Sequence, residues 1–355
     1  MGIAIGQLAP GQWNAITDVP GVRVGHTTLI AGEGPLVVGQ GPVRTGVTVV
    51  LPSEGIRGRP LFAGYHVLNG CGEMTGLVWI GESGLLTSAI GLTNTYSVGV
   101  VHDALISCGA AWGLPVVAET WDGQLSDVRG MHVHPEHVRA ALDSASDGPV
   151  AEGCVGGGTG MICHEFKGGI GTASRVLSTD AGGWTVGVLV QANHGQRRLL
   201  RVNGVPVGQE ITVDDIPDPH DASRSFLVGG SSIIVIVATD APLLPHQCRR
   251  LAQRAAIGIG RAGGLGEETS GDIMLAFSTA DTGASLQRGT SEPITVRMLP
   301  HGALNPLFEA VVDSTEEAIL NALCAATTMT GIAGRTAYAL PLDRLAAVMR
   351  QYGRS

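Results

Sequence analysis

Five short runs of apolar, β-prone residues mark out the chain: VRVGHTTLI (22–30), TGVTVVL (45–51), VGVLVQAN (186–193), SIIVIVAT (232–239) and DIMLAFST (272–279). Each is bounded by Gly, Pro, Asp or Ser, which predicts strands. Several are continuously apolar instead of alternating, so their sheets should be covered on both faces. Helical patterns lie between them. From Pro245, PHQCRRLAQRAAIGIGRAG places Leu251, Ala255 and Ile259 four apart, with proline at the start and glycine at the end. VHPEHVRAALDSA predicts a helix beginning near Pro135. Ser314-Thr315-Glu316-Glu317 has the form of a capping box opening a helix over AILNALCAAT. Residues 207–226 are acidic and proline-bearing and predict a long surface loop. No low-complexity linker or repeat divides the 355 residues. The pattern is mixed α/β in packed layers, with length for one large domain, 1–355, or for two ordinary ones.

Composition narrows the class. Hydrophobic residues make up 44% and charged residues 15%, which excludes a disordered chain. Aromatics are only 4% while glycines number 53, so the core must be Val, Ile, Leu and Ala with close backbone contacts. The net charge of -9 and the absence of a Lys/Arg cluster argue against nucleic acid as a partner. No uncharged run reaches the ~20 apolar residues of a membrane span, so no membrane partner is expected. The first residues lack a signal peptide's basic start and apolar core. Six cysteines without CxxC spacing predict free thiols in a reducing, cytoplasmic setting. Low charge with high apolar content suggests surface buried between subunits.

The candidate chemistry begins at FLVGGSSIIVIVATDAP (226–242), where Gly-Gly-Ser-Ser stands before a buried strand. A small-residue turn explains it plainly. Alternatively, a cut before one serine would leave an N-terminal nucleophile whose own α-amine assists the hydroxyl. Ser270 and Asp272 also precede a strand, either as an ordinary turn or as an alcohol and carboxylate that share a proton. Asn193 ends an apolar run and either makes a turn or donates to an oxyanion. Glu119, beside Trp121 and Asp122, is either a solvated loop residue or the carboxylate that meets a substrate ammonium against an aromatic wall. His132, His134 and His137 cluster like metal ligands, but no HExxH or zinc spacing supports them, so no metal or cofactor is expected. The glycine-rich segment 154–169 lacks the GK[ST] of a phosphate loop and suggests close backbone packing or a substrate-lining loop.

Taken in order, ITDVPGVRVGHTT, RTGVTVVLP, NTYSVGVVHDALI, VVAETWDG, GCVGGGTGM, VGVLVQAN, SSIIVIVATDAPLLPHQ and SGDIMLAFSTA resemble the DmpA-type aminopeptidases, or β-peptidyl aminopeptidases, of peptidase family S58. The likeness spans residues 14 to 342. It implies an αββα four-layer sandwich of the N-terminal-nucleophile-hydrolase type, similar to ornithine acetyltransferase. It also implies self-cleavage into 1–231 and 232–355, with Ser232 as nucleophile, Ser270 and Asp272 as partners, Asn193 at the oxyanion and Glu119 at the substrate amine. The implied substrate is a short peptide, amide or ester with a free amino group, and the implied assembly is a homo-oligomer of four or eight. Two positions depart from the family pattern. Ser231 stands where glycine usually precedes the nucleophile, and Trp121 stands where some members carry tyrosine. An amino-acid acyltransferase and a non-catalytic oligomeric scaffold are the rival readings of the same fold.

Overall fold

The computed structural model describes residues 2–111, 114–220, 231–281, 291 and 293–354. Two sheets stack face to face. One has four strands in the order Arg23–Ala31, Val43–Leu51, Ile90–Asn94, Val116–Thr120. The other has six, in the order Leu85–Leu86, Leu61–Gly70, Gly271–Ser278, Ser232–Thr239, Thr185–Asn193, Gly169–Val176.

The continuous apolar runs become intelligible here. In the Ser232–Thr239 strand, Ile234, Ile236 and Ala238 point between the sheets. Ile233, Val235 and Val237 point to the opposite face, against the helices Pro245–Ala262 and Asn305–Ala325. A strand alternates its side chains, so burial on both faces demands apolar residues at every position. The Gly271–Ser278 strand repeats this, with Ile273, Leu275 and Phe277 inward and Met274 and Ala276 outward. Val47 and Val49 of the four-stranded sheet pack outward against Val101, Leu105, Val138 and Ala141 of the helices Val98–Ser107 and Pro135–Asp143. The layers therefore run helix, sheet, sheet, helix, the expected αββα sandwich. Each buried aliphatic side chain contributes about 1.5–3 kcal/mol.

Every predicted strand is present, and so are the helices starting at Pro135 and Pro245. Gly263 ends the latter with a φ of 105°. Two expectations are corrected. The Ser314–Glu317 stretch caps nothing, because it lies inside the helix Asn305–Ala325. Pro306 in the first turn is the operative start signal, and Thr315 Oγ1 donates back to the Val311 carbonyl at 2.7 Å. The expected loop 207–226 opens as a helical turn, Val207–Glu210, with Val207 and Ile211 in the core. Its residues 221–226, and the Gly229 and Gly230 that follow, lie outside the described residues.

The glycine-rich segment is an inter-sheet tie. Gly156–Gly158 form a buried turn threaded between the two sheets. A Cβ on Gly157 would sit 2.2 Å from Gln191 Oε1 and 2.7 Å from the Leu92 carbonyl oxygen, one on each sheet. Buried Lys167 holds the same segment, its Nζ donating to the carbonyls of Met161 (2.7 Å) and Gly168 (2.8 Å).

Gly157→Ala should therefore wedge the sheets and cost about 1–3 kcal/mol. Gly99→Ala, at an exposed helical site with nothing within 4 Å, should stabilise by about 0.5 kcal/mol. Urea denaturation of both variants checks the pair; equal effects would contradict the inter-sheet role.

Candidate active site

Strand directions create the site. Ser232–Thr239 and Gly271–Ser278 pair in parallel with Ser232 opposite Gly271, so both strands begin at one sheet edge. The antiparallel neighbour Thr185–Asn193 ends at that edge, with Asn193 opposite Ser232. Ser232, Ser270, Asp272 and Asn193 are thereby gathered and buried. In the other sheet, Ile90–Asn94 and Val116–Thr120 are also parallel, pairing Thr93 with Glu119.

Ser232 Oγ donates to the carbonyl of Ser231 at 2.5 Å. The Gly271 N–H reaches both that carbonyl oxygen, at 3.2 Å, and Ser232 Oγ, at 3.1 Å. The Ser231 carbonyl oxygen thus accepts from both the hydroxyl and a backbone donor. Ser270 Oγ donates to Asp272 Oδ1 at 2.6 Å and lies 3.4 Å from Ser231 Oγ. Burial pushes the Asp272 pKa up to about 6, against the lowering effect of the Ser270 hydroxyl and the Ile233 N–H.

Asn193 is held from two sides. Its Oδ1 accepts from the Ile162 N–H at 2.7 Å, and its Nδ2 donates to the Trp121 carbonyl at 3.1 Å. Glu119 is a buried strand residue, not a solvated loop. It accepts from the Thr95 hydroxyl and, at 3.0 Å, from the Glu73 N–H. Burial raises its pKa although both bonds favour the charged form. A Cβ on Gly72 would lie 2.9 Å from the Gly271 Cα and 3.2 Å from Glu119 Oε1, so this carboxylate lies close to the start of the Gly271 strand.

Trp121 stacks edge-on with Tyr96, ring centroids 5.7 Å apart, and its buried Nε1 has no hydrogen-bond partner among the described residues. Asp122 is fully buried next to Thr45 and Asn94, and neither oxygen has a partner in hydrogen-bonding geometry among the described residues. Burial pushes its pKa up to about 7, and the Glu119 charge adds to the rise.

The three clustered histidines do not converge. His132 Nε2 sits 2.9 Å from Asp127 Oδ2, and His137 Nδ1 accepts from the His134 N–H at 2.9 Å as a helix cap. A different set does converge: Cys163, His164 and His194, all buried, each place a ligand atom within 4.8 Å of the others. They lie in a short hairpin and just past Asn193, and no motif in the sequence signals them. Thr95 and Gly271 carry no motif of their own, although both fall inside the stretches NTYSVG and SGD that carry the family likeness.

The family model for peptidase family S58 matches residues 14–337. The chain is 50% identical to the β-peptidyl aminopeptidase BapA of Sphingosinicella microcystinivorans, over 97% of this chain and 90% of that protein. Among solved structures, a β-aminopeptidase from Burkholderia sp. superposes with a TM-score of 0.90 at 52% identity, covering 99% of this chain and 98% of the other. The L-aminopeptidase D-Ala-esterase/amidase of Ochrobactrum anthropi, described as a variant of the Ntn hydrolase fold, does so with a TM-score of 0.88 at 44% identity, covering 99% of this chain and 98% of that one. The chain belongs to peptidase family S58 and is a serine aminopeptidase on the N-terminal-nucleophile hydrolase fold.

Proposed function

We propose that this aminopeptidase matures by cutting its own Ser231–Ser232 bond and then uses Ser232 to release N-terminal residues from short peptides, amides or esters. The observation that carries the reading is the placement of Ser232 Oγ and the Gly271 N–H on the Ser231 carbonyl oxygen. In maturation, Oγ attacks the Ser231 carbonyl carbon while the Gly271 N–H takes up the growing charge on oxygen. The C–N bond breaks, the Ser232 nitrogen gains a proton, and water hydrolyses the ester to leave chains 1–231 and 232–355. Ser270 and Asp272 move the proton.

In turnover, the freed Ser232 amine accepts the Oγ proton and passes it to the leaving amine, and water then resolves the acyl-enzyme. Asn193 Nδ2 supports the oxyanion. Glu119 meets the substrate ammonium, and Trp121 forms the wall beside it. The names of two relatives at 50% and 46% identity favour β-residues at the substrate N-terminus. The six unpaired thiols favour a reducing cytoplasm. Exposed Val78 and Leu265 favour burial between subunits of a homo-oligomer.

Intact mass under denaturing conditions, with N-terminal sequencing, tests the cut: two chains are expected, the smaller starting at Ser232. Ser232→Ala should remain one chain without peptidase activity. A smaller chain starting at Ser231 would move the nucleophile by one residue.

Asn193→Ala should lower kcat about 10²–10³-fold with processing measured separately. Glu119→Gln should act mainly on KM, at a cost of about 2 kcal/mol or more. Full activity in either variant overturns that residue's role.

Asp272 has a raised pKa, so it is protonated below about 6 and a carboxylate above it. As proton acceptor it works only when ionised. Maturation of freshly translated precursor should therefore accelerate as pH rises through about 6, and Asp272→Asn should lose both the rate and this step.

A further inference from the structure

We propose that Cys163, His164 and His194 form a binding site for a borderline transition-metal ion of the zinc class, placed directly behind Asn193. The three side chains are fully buried, and one ligand atom of each lies within 4.8 Å of the others.

The hydrogen bonds orient the donors. His164 Nδ1 lies 3.1 Å from the Gln196 carbonyl oxygen, which fixes the proton on Nδ1 and leaves a lone pair on Nε2. That Nε2 is buried and has no hydrogen-bond partner among the described residues. A ring N–H given to a backbone carbonyl is the arrangement that fixes a metal-binding histidine. Cys163 Sγ lies 3.8 Å from His194 Nδ1, in a contact where either atom can be the donor. The other nitrogen of His194 is likewise buried without a partner among the described residues. Buried polar atoms are normally satisfied, and each that is not calls for an explanation such as a bound ion or an ordered water.

The ring centroids of His164 and His194 are 5.2 Å apart at 64°, an edge-to-face contact in which the rings do not stack. The backbone holds this pose. His164 and Glu165 take left-handed φ values of 48° and 61° in the hairpin turn, and the His164 N–H donates to the His194 carbonyl at 2.7 Å. A Cβ on Gly195 would lie 2.4 Å from the His164 ring, so glycine is required there.

One thiolate with two imidazoles suits zinc or cobalt better than calcium or magnesium, which prefer oxygen ligands. Zinc holds nitrogen and sulfur at about 2.0–2.3 Å, so the donors would close by roughly 1 Å, with water as a fourth ligand. Binding forms metal–sulfur and metal–nitrogen bonds and releases the thiol proton to solvent. Because Asn193 Oδ1 accepts from the Ile162 N–H at 2.7 Å, a metal here would pin the hairpin that carries Cys163 to the strand end that carries Asn193.

The test is titration of the full, purified protein with Co²⁺ alone, allowing long incubation because the site is buried. The expected result is one equivalent bound per chain, a near-ultraviolet thiolate-to-cobalt absorption band, and loss of that band on adding Zn²⁺. Cys163→Ser and Cys163→Ala, each checked for folding by circular dichroism, should abolish the band, while Cys71→Ser should keep it. His164→Gln should weaken binding at least about tenfold. No thiolate band at one equivalent, or a band unchanged in both Cys163 variants, overturns the proposal and leaves only adventitious binding at surface histidines or at exposed Cys71.

Discussion

The structure depends on one pairing: two continuously apolar strands, Ser232–Thr239 and Gly271–Ser278, lying parallel in the middle of the six-stranded sheet. Parallel strands begin at the same edge. That places the start of one beside the start of the other and brings the end of their antiparallel neighbour to the same edge. A hydroxyl, a backbone N–H, an alcohol–carboxylate pair and a side-chain amide then meet at that edge, where the pairing of Gly271–Ser278 with Leu61–Gly70 shifts register between Asp272 and Ile273. Slipping either strand by one residue would exchange the side chains packed between the sheets with those packed against the helices and would take Ser232 out of register with Gly271 and Asn193. Core packing and active-site geometry are therefore one constraint.

The same burial sets the chemistry. Glu119, Asp122 and Asp272 are carboxylates in a largely dry region, and desolvation is the largest influence on each. Their compensation differs. Glu119 has a hydroxyl and a backbone N–H, and Asp272 has the Ser270 hydroxyl, so both keep partners for the charged form. Asp122 has no such bond in good geometry among the described residues. Burial thus raises all three carboxylates, and the hydrogen bonds that oppose the rise differ from one to the next.

Glycine does a second, less visible job. Gly156–Gly158 cross between the sheets where a side chain would collide with both. Gly72 and Gly271 come equally close, a Cβ on Gly271 falling 2.7 Å from the Gly72 Cα. With few aromatics to fill space, the core draws its backbones together, and the polar atoms of Gln191 and Thr48 bind across the gap left.

The strand runs and the helices at Pro135 and Pro245 were legible in the sequence because periodicity and terminal proline or glycine are local signals. The ordered motifs extended this to the family and to Ser232, Ser270, Asp272, Asn193 and Glu119 as a set. The Ser314–Glu317 stretch shows the limit: a capping box is four residues long, and the apolar surface of the Asn305–Ala325 helix overrode it. Tertiary structure alone decided that Glu119 is buried against Thr95, that Asp122 lacks a hydrogen-bond partner in good geometry among the described residues, and that Cys163, His164 and His194 share one space while His132, His134 and His137 do not. The physical reason is that a strand's face follows from residue identity every second position. Which side chains meet at its end depends on the strands beside it, and those arrive from distant parts of the chain.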